Sequence, residues 1–74
     1  MAFEYEIVEA VAVLSECGNV TKELNLVSYK GQPAKYDLRS WKRDEQGEKL
    51  LKGLTLTGTE ARALKQALNA RPEL

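Results

Sequence analysis

The chain changes its hydrophobic period once, near Thr57, and that one change limits the folds open to it. Before Thr57, apolar residues recur at alternate positions in several short stretches. After it, Ala61, Leu64 and Leu68 fall on one helical face, with Ala63 and Ala67 beside them. A period of two sends alternate side chains to opposite faces of a strand, whereas a period near 3.6 stacks them along one side of a helix. Strands first and a helix last, within 74 residues, predict a single α+β domain over residues 1–74 whose helix lies on one sheet face.

Four stretches read as strands. The first, FEYEIVEAVAVLS (residues 3–15), changes parity: Phe3, Tyr5 and Ile7 share one face, and Val8, Ala10, Ala12 and Leu14 the other. Such a change predicts a bulge or bend near Ile7 to Glu9. ECGN then turns the chain, with Gly18 and Asn19 tolerant of positive φ. TKELNLVSYK (residues 21–30) is the second strand, ended by GQP because Pro33 cannot donate to a ladder. AKYDLRSWKR (residues 34–43) is the third, DEQGEK a polar loop, and LLKGLTLT (residues 50–57) the fourth. Thr57 and Glu60 have capping-box spacing at the start of the helix, Thr59 is a rival cap, and Pro72 marks the stop.

A domain this small has a thin core and commonly recruits a disulfide, a metal or a second copy. Cys17 is alone, which excludes an internal disulfide, suits a reducing cytosol and reads as a small buried or turn thiol. With no His, His-based catalysis and most zinc sites drop out. Asp44, Glu45 and Glu48 cluster in a loop but lack calcium-loop spacing, and read as a solvated turn. No phosphate loop, nucleophile elbow or pocketed acid–base pair is present, so the chain reads as no enzyme and as needing no cofactor. The acidic start lacks the basic region of a signal peptide, and no apolar run reaches the ~18 residues that span a bilayer. The expectation is a cytoplasmic protein.

Formal net charge is zero, yet the charges are segregated. Residues 1–21 carry Glu4, Glu6, Glu9 and Glu16 with no Lys or Arg; residues 22–52 carry eight cations against five acids. Local potential, more than the sum, steers a polyanion.

The helix needs an apolar sheet face. Leu24, Leu26, Tyr36, Leu38, Leu54 and Leu56 supply one if the second and third strands pair with residue numbers of even sum, through a three- or five-residue loop or a compensating bulge. In that register Tyr36 is core, while Val27, Tyr29, Lys35, Asp37, Arg39 and Trp41 occupy the opposite face. Three of the five aromatic residues lie between Tyr29 and Trp41 with cations interleaved. Exposed rings beside Lys and Arg hold single-stranded nucleic acid: each base stacked on a ring contributes ~1–3 kcal/mol, and the cations meet phosphates. The alternative is that Tyr29 and Trp41 fill a homodimer interface or a small second core.

The pieces KELNLVSY, PAKYDLRSW, DEQG and KGLTLTGTEARALKQAL, in that order and spacing, resemble the DNA-binding domain of the transcriptional coactivator positive cofactor four. The likeness runs from Lys22 to Leu68, and YEIVEAVAVLSE extends it to the small bacterial homologues of the YdbC type. It implies a curved four-stranded antiparallel sheet followed by one C-terminal α-helix, dimerised through the helices. It further implies a protein that binds single-stranded DNA largely without sequence preference, with RNA an alternative strand, and that serves transcription, replication or repair alongside their proteins, in places such as the nucleoid. On that likeness Tyr29 and Trp41 stand where bases stack, and Lys30, Arg39 and Lys52 fall on basic positions of the family; the single-strand reading adds Lys22, Lys35, Lys42 and Arg43 to the cations that track phosphates, not all of them at once. Leu64 and Leu68, which also need cover on grounds of size, would meet a second copy. The competing reading is a protein-interaction module that pairs a partner chain at its sheet edge or aromatic face.

Overall fold

The alternating stretches do form one antiparallel sheet. The computed structural model describes residues 4–74: β1 (Tyr5–Cys17), β2 (Val20–Tyr29), β3 (Lys35–Asp44) and β4 (Gly47–Leu56) lie side by side in that order, followed by α1 (Gly58–Asn69). Phe3, placed in the first strand from sequence, is outside the described residues.

β2 and β3 pair without interruption, Leu24 opposite Leu38 and Leu26 opposite Tyr36. The register is therefore the even-sum one, and the five residues between Tyr29 and Lys35 provide the loop it needs. Lys30 and Gly31 both take positive φ there, and the Ser28 hydroxyl donates to the Gln32 carbonyl at 2.6 Å. β1 carries the expected register shift between Ile7 and Glu9 and two more, between Ala10 and Ala12 and between Val13 and Ser15. The two residues between β1 and β2, Gly18 and Asn19, make a tight hairpin in which Gly18 alone has positive φ, as a II′-type turn requires. Cys17, beside that turn, is exposed.

β4 begins three residues earlier than the sequence pattern indicates. Only Glu45 and Gln46 remain unpaired at the β3–β4 turn, where Asp44 Oδ1 accepts from the Gln46 amide at 2.9 Å. Glu48 and Lys49, read as loop, lie opposite Arg43 and Lys42 in the ladder.

Thr57 caps α1 as expected: its hydroxyl accepts from the Glu60 amide and the Glu60 carboxylate from the Thr57 amide. Such a cap contributes about 1 kcal/mol. The helix touches β3 and β4 but buries none of its own residues. The sheet face beneath it is only half covered: Leu24, Leu26, Tyr36 and Leu38 are half-buried, and Leu54 is exposed. This corrects the expectation that the core lies under the helix. The fully buried apolar residues are Val27 and Trp41, on the other face, with Glu23, Asn25 and Asp37 buried around them.

Among the described residues no helix is long and apolar enough to cross a membrane.

Candidate nucleic-acid interface

Strand alternation assembles the helix-free face. β2 contributes Glu23, Asn25, Val27 and Tyr29, and β3 contributes Lys35, Asp37, Arg39, Trp41 and Arg43. β1 places Tyr5 opposite Tyr29, and β4 places Leu50 opposite Trp41 and Glu48 opposite Arg43.

Two carboxylate–guanidinium clusters organise this face. In the first, Asp37 is fully buried and uses both oxygens: Oδ1 accepts from Arg39 Nε and Oδ2 from the Tyr29 hydroxyl, each at 2.7 Å. Arg39 Nη1 also donates to the Leu51 carbonyl at 3.2 Å, and its guanidinium carbon lies 5.7 Å from the Tyr29 ring centroid. Burial, reinforced by the bond to Asp37, raises the Tyr29 phenol; the bond to Asp37 chiefly raises the Arg39 guanidinium. Both groups hold their ordinary charge, and Arg39 is clamped as a plane over a ring.

In the second cluster Arg43 donates through Nη1 to Glu23 Oε2 at 2.6 Å, through Nη2 to Glu23 Oε1 at 3.3 Å, and through Nε to Glu48 Oε1 at 2.8 Å. Its guanidinium carbon lies 5.2 Å from the Trp41 centroid, a cation–π distance. The Tyr5 hydroxyl donates to Glu48 Oε2. The Tyr5 ring is tilted 57° to the indole at 5.5 Å, and 46° to the Tyr29 ring at 6.4 Å. Burial first, then the bond to Glu48, pushes the Tyr5 phenol up to about 12.

Trp41 is thus covered, at 0% exposure. This corrects the expectation that its ring is exposed: within one chain the indole sits in a small second core. Tyr29 is half-buried at the rim. The indole Nε1 is buried with no hydrogen-bond partner among the described residues. A cleft of about 530 Å³ on this face is lined by Tyr5, Arg39, Glu48 and Leu50.

The remaining cations divide. Lys35, at the start of β3, and Lys30, in the preceding turn, are exposed beside Tyr29 and form no ion pair among the described residues. Lys22 and Lys42 have the parity of Leu24 and Leu38, so alternation places them on the helix side; Lys42 lies 4.0 Å from Asp44. Lys52 falls in the irregular stretch of β4 between Leu50 and Gly53, where the β3–β4 register shifts. Asp44, Glu45 and Glu48 do not converge, and no three metal-ligating side chains do so among the described residues.

Sequence reasoning placed Asp37 on this face without a role and missed Tyr5, Glu23 and Glu48 as parts of it. Tyr5 was findable in principle, since aromatic parity had singled it out. It reaches Tyr29 only because three successive bulges move the β1–β2 register. The acids look like solvated strand charge until their guanidinium partners are known.

Glu23 gives the cluster a pH signature. The Arg43 bond, ahead of those from Asn25 and Thr21, holds its carboxyl at about 2 against the ordinary 4.5. Since the folded value is the lower one, its contribution to stability is complete above the unfolded value and is lost as pH falls towards 2. Glu48, also held low by Tyr5 and Arg43, acts on the same limb. The thermal midpoint is expected to be flat from about pH 8 to about pH 5 and to fall below about pH 4.5, with Glu23→Gln shallowing that fall. An acid limb unchanged in Glu23→Gln would show that Arg43 does not hold Glu23 this way in solution.

Known proteins share this arrangement of sequence. The sequence model of the family described as Transcriptional Coactivator p15 (PC4) matches residues 19–67, from the start of β2 through most of α1. An uncharacterized protein of Treponema pallidum (strain Nichols) is 42% identical over 69 residues, covering 92% of this chain and 79% of the relative. The similarity to that relative extends beyond the family match, over nearly the whole chain. The chain therefore belongs to the p15 (PC4) transcriptional coactivator family.

Proposed function

We propose that this protein binds single-stranded DNA on its helix-free sheet face, largely without regard to sequence, as a homodimer serving transcription, replication or repair. Membership of the PC4 family supports nucleic-acid binding in general. The observation that carries the finer reading is the Tyr29–Arg39 pair: a ring under a guanidinium plane, fixed by buried Asp37 and left uncovered by the helix. Both present flat surfaces on which an unpaired base stacks, and stacking is indifferent to base identity. Lys30 and Lys35 flank the pair and take phosphates; Arg43 is a third cation on the face. Lys22, Lys42 and Lys52 reach the backbone only where a strand leaves this face. Duplex DNA hides its base faces and fits poorly. RNA stacks equally well, and nothing here addresses a 2′-hydroxyl.

The second copy is argued from apolar surface. Leu64 and Leu68 are 40% and 47% exposed, and between α1 and the sheet lies a cleft of about 540 Å³ lined by Leu24, Tyr36, Leu56, Ala61, Leu64 and Leu68 among others. A partner's α1 would cover both. One further observation favours a protein-interaction reading: the edge strand β1 exposes Val8, Val11, Val13 and Leu14, a surface suited to strand addition.

The test is fluorescence anisotropy of a labelled oligo-dT of about twenty bases, at low and physiological salt, with duplex competitor. Saturable binding that weakens with salt and resists duplex is expected. The double variant Lys30→Glu, Lys35→Glu should lower the log–log salt slope by about 2. Folded protein that leaves anisotropy unchanged at low salt would end this reading and favour the edge-strand partner.

A further inference from the structure

The helix side of the sheet concentrates cations at one end. Lys49 stands directly opposite Lys42 in the β3–β4 ladder, and Lys22, opposite Ser40, lies diagonal to Lys42 on its other side. Alternation puts all three on the helix side, at the end of the sheet away from the β2–β3 loop. Directly opposite side chains are about 5 Å apart and diagonal ones about 7–8 Å, so three ammonium groups crowd one patch. Like charges placed opposite each other destabilise a sheet. Among the described residues the one ion pair in the patch is between Lys42 and exposed Asp44, at 4.0 Å. Lys22 and Lys49 are exposed and form none among the described residues. Glu6 and Glu9, which β1 places on this side, lie at its far end opposite Ser28 and Leu26. None of the three lysines lines the cleft beneath α1. An edge lysine such as Lys49 discourages edge pairing, but that does not account for Lys42 and Lys22, which stand on interior strands.

We propose that these lysines form a second phosphate track: a single strand bound on the helix-free face passes round the β4 edge and is held again by Lys49, Lys42 and Lys22. This rests on the single-strand reading above. β4 is an edge strand, so no described strand lies outside it to block the passage. The crossing point is its irregular stretch between Leu50 and Gly53. On the helix-free side Arg39 already reaches this stretch, donating to the Leu51 carbonyl at 3.2 Å. Lys52, exposed in the same stretch and without an ion pair among the described residues, supplies a cation at the edge itself. Lys49 follows three residues back along β4, with Lys42 and Lys22 beyond it on β3 and β2. Glu48, the one acid of β4, is already paired with Arg43. The ligand this patch suits is a chain of phosphodiesters: phosphates spaced along a flexible strand neutralise the crowded ammonium groups and release counterions. A duplex is too stiff to turn the edge, since its persistence length is about 150 base pairs. The β1 edge does not serve, because residues 5–17 carry Glu6, Glu9 and Glu16 and no Lys or Arg.

The test separates the two tracks by strand length. Anisotropy is measured with labelled oligo-dT of about eight and about twenty bases, for the parent and for the double variant Lys42→Gln, Lys49→Gln. The variant loses a like-charge pair, so its thermal midpoint should equal or exceed the parent's, and weaker binding in it does not report unfolding. The short strand occupies the helix-free face alone, and its affinity should stay within about twofold of the parent's. The twenty-base strand should bind at least about fivefold more weakly at low salt, with a log–log salt slope lower by about 1.4, since each phosphate contact on a single strand contributes ~0.7. Lys22→Gln, on a different strand of the sheet, should lower the same slope by about 0.7. Lys30→Glu, Lys35→Glu, on the helix-free face, should weaken both lengths. Unchanged twenty-base binding in the glutamine variants, or equal loss at both lengths, overturns the second track and leaves the single-strand reading standing. Failure of the parent to bind either length at low salt overturns both.

Discussion

Trp41→Ala is expected to cost about 3–5 kcal/mol of folding stability, the range for emptying a fully buried aromatic site. The indole is the largest fully buried side chain described, it contacts Tyr5 and Arg43, and it joins Val27 as the only fully buried apolar residues described. Domains of this size have little more than that in reserve. The thermal midpoint should fall by roughly 15–30 °C, followed by far-ultraviolet circular dichroism against temperature. Loss of oligonucleotide binding in this variant would then report unfolding and carry no information about stacking. A midpoint within a few degrees of the parent would overturn the expectation: the indole would have to be largely uncovered in solution, with Tyr5 and Arg43 open in the free protein.

That expectation reverses what the sequence alone implies for Trp41, and the reason is local. The parity of β2 and β3 is unbroken from Val27 to Val20, so placing Tyr29 and Trp41 away from the helix needed only the alternation and the even-sum register. Exposure needed more. It depended on β1, whose three bulges carry Tyr5 into the row of Tyr29 and Trp41. The first bulge is visible as a change of parity; the other two leave no such mark in a run of Ala, Val and Leu. It depended also on Glu48, which sits in what reads as a polar loop and proves to be ladder. The helix was legible to the residue at its cap, because a capping box is a short-range motif. Its failure to bury any residue was not, because an amphipathic stripe specifies that a face needs cover without specifying which surface covers it.

The buried acids follow from the same geometry. Glu23 and Asp37 stand opposite and beside arginines on one sheet face, so each carboxylate is desolvated only where a guanidinium is already in reach. Removing one partner of such a pair is far more damaging than never having built it. The face is therefore at once a second core and a charged surface. This is how a chain of zero net charge can offer guanidinium planes to a polyanion without collapsing them into solvent.

Gly53→Ala is the second large effect, and it concerns the backbone beneath Arg39. Glycine inside a strand ordinarily weakens it. Gly53, however, faces Arg39 next to the register shift between Arg39 and Trp41, where β3 and β4 approach unusually closely. A methyl group there would stand 1.9 Å from Arg39 Cβ, 2.6 Å from its Cα and 2.6 Å from the Leu38 carbonyl oxygen. Two of those three atoms are backbone, so rotating a side chain cannot relieve the overlap and the strands must part. A cost of about 3 kcal/mol or more is expected, read as a lowered urea midpoint with an unchanged slope. Gly58→Ala is the control. Nothing lies within 4 Å of its Cβ position and it opens the helix after Thr57, so it should be neutral or stabilise by about 0.4–1 kcal/mol. Equal effects of the two substitutions would show that glycine is required at neither place for space. If Gly53→Ala alone unfolds the domain early, the close β3–β4 crossing is confirmed as the support that aims Arg39 at Asp37 and Tyr29.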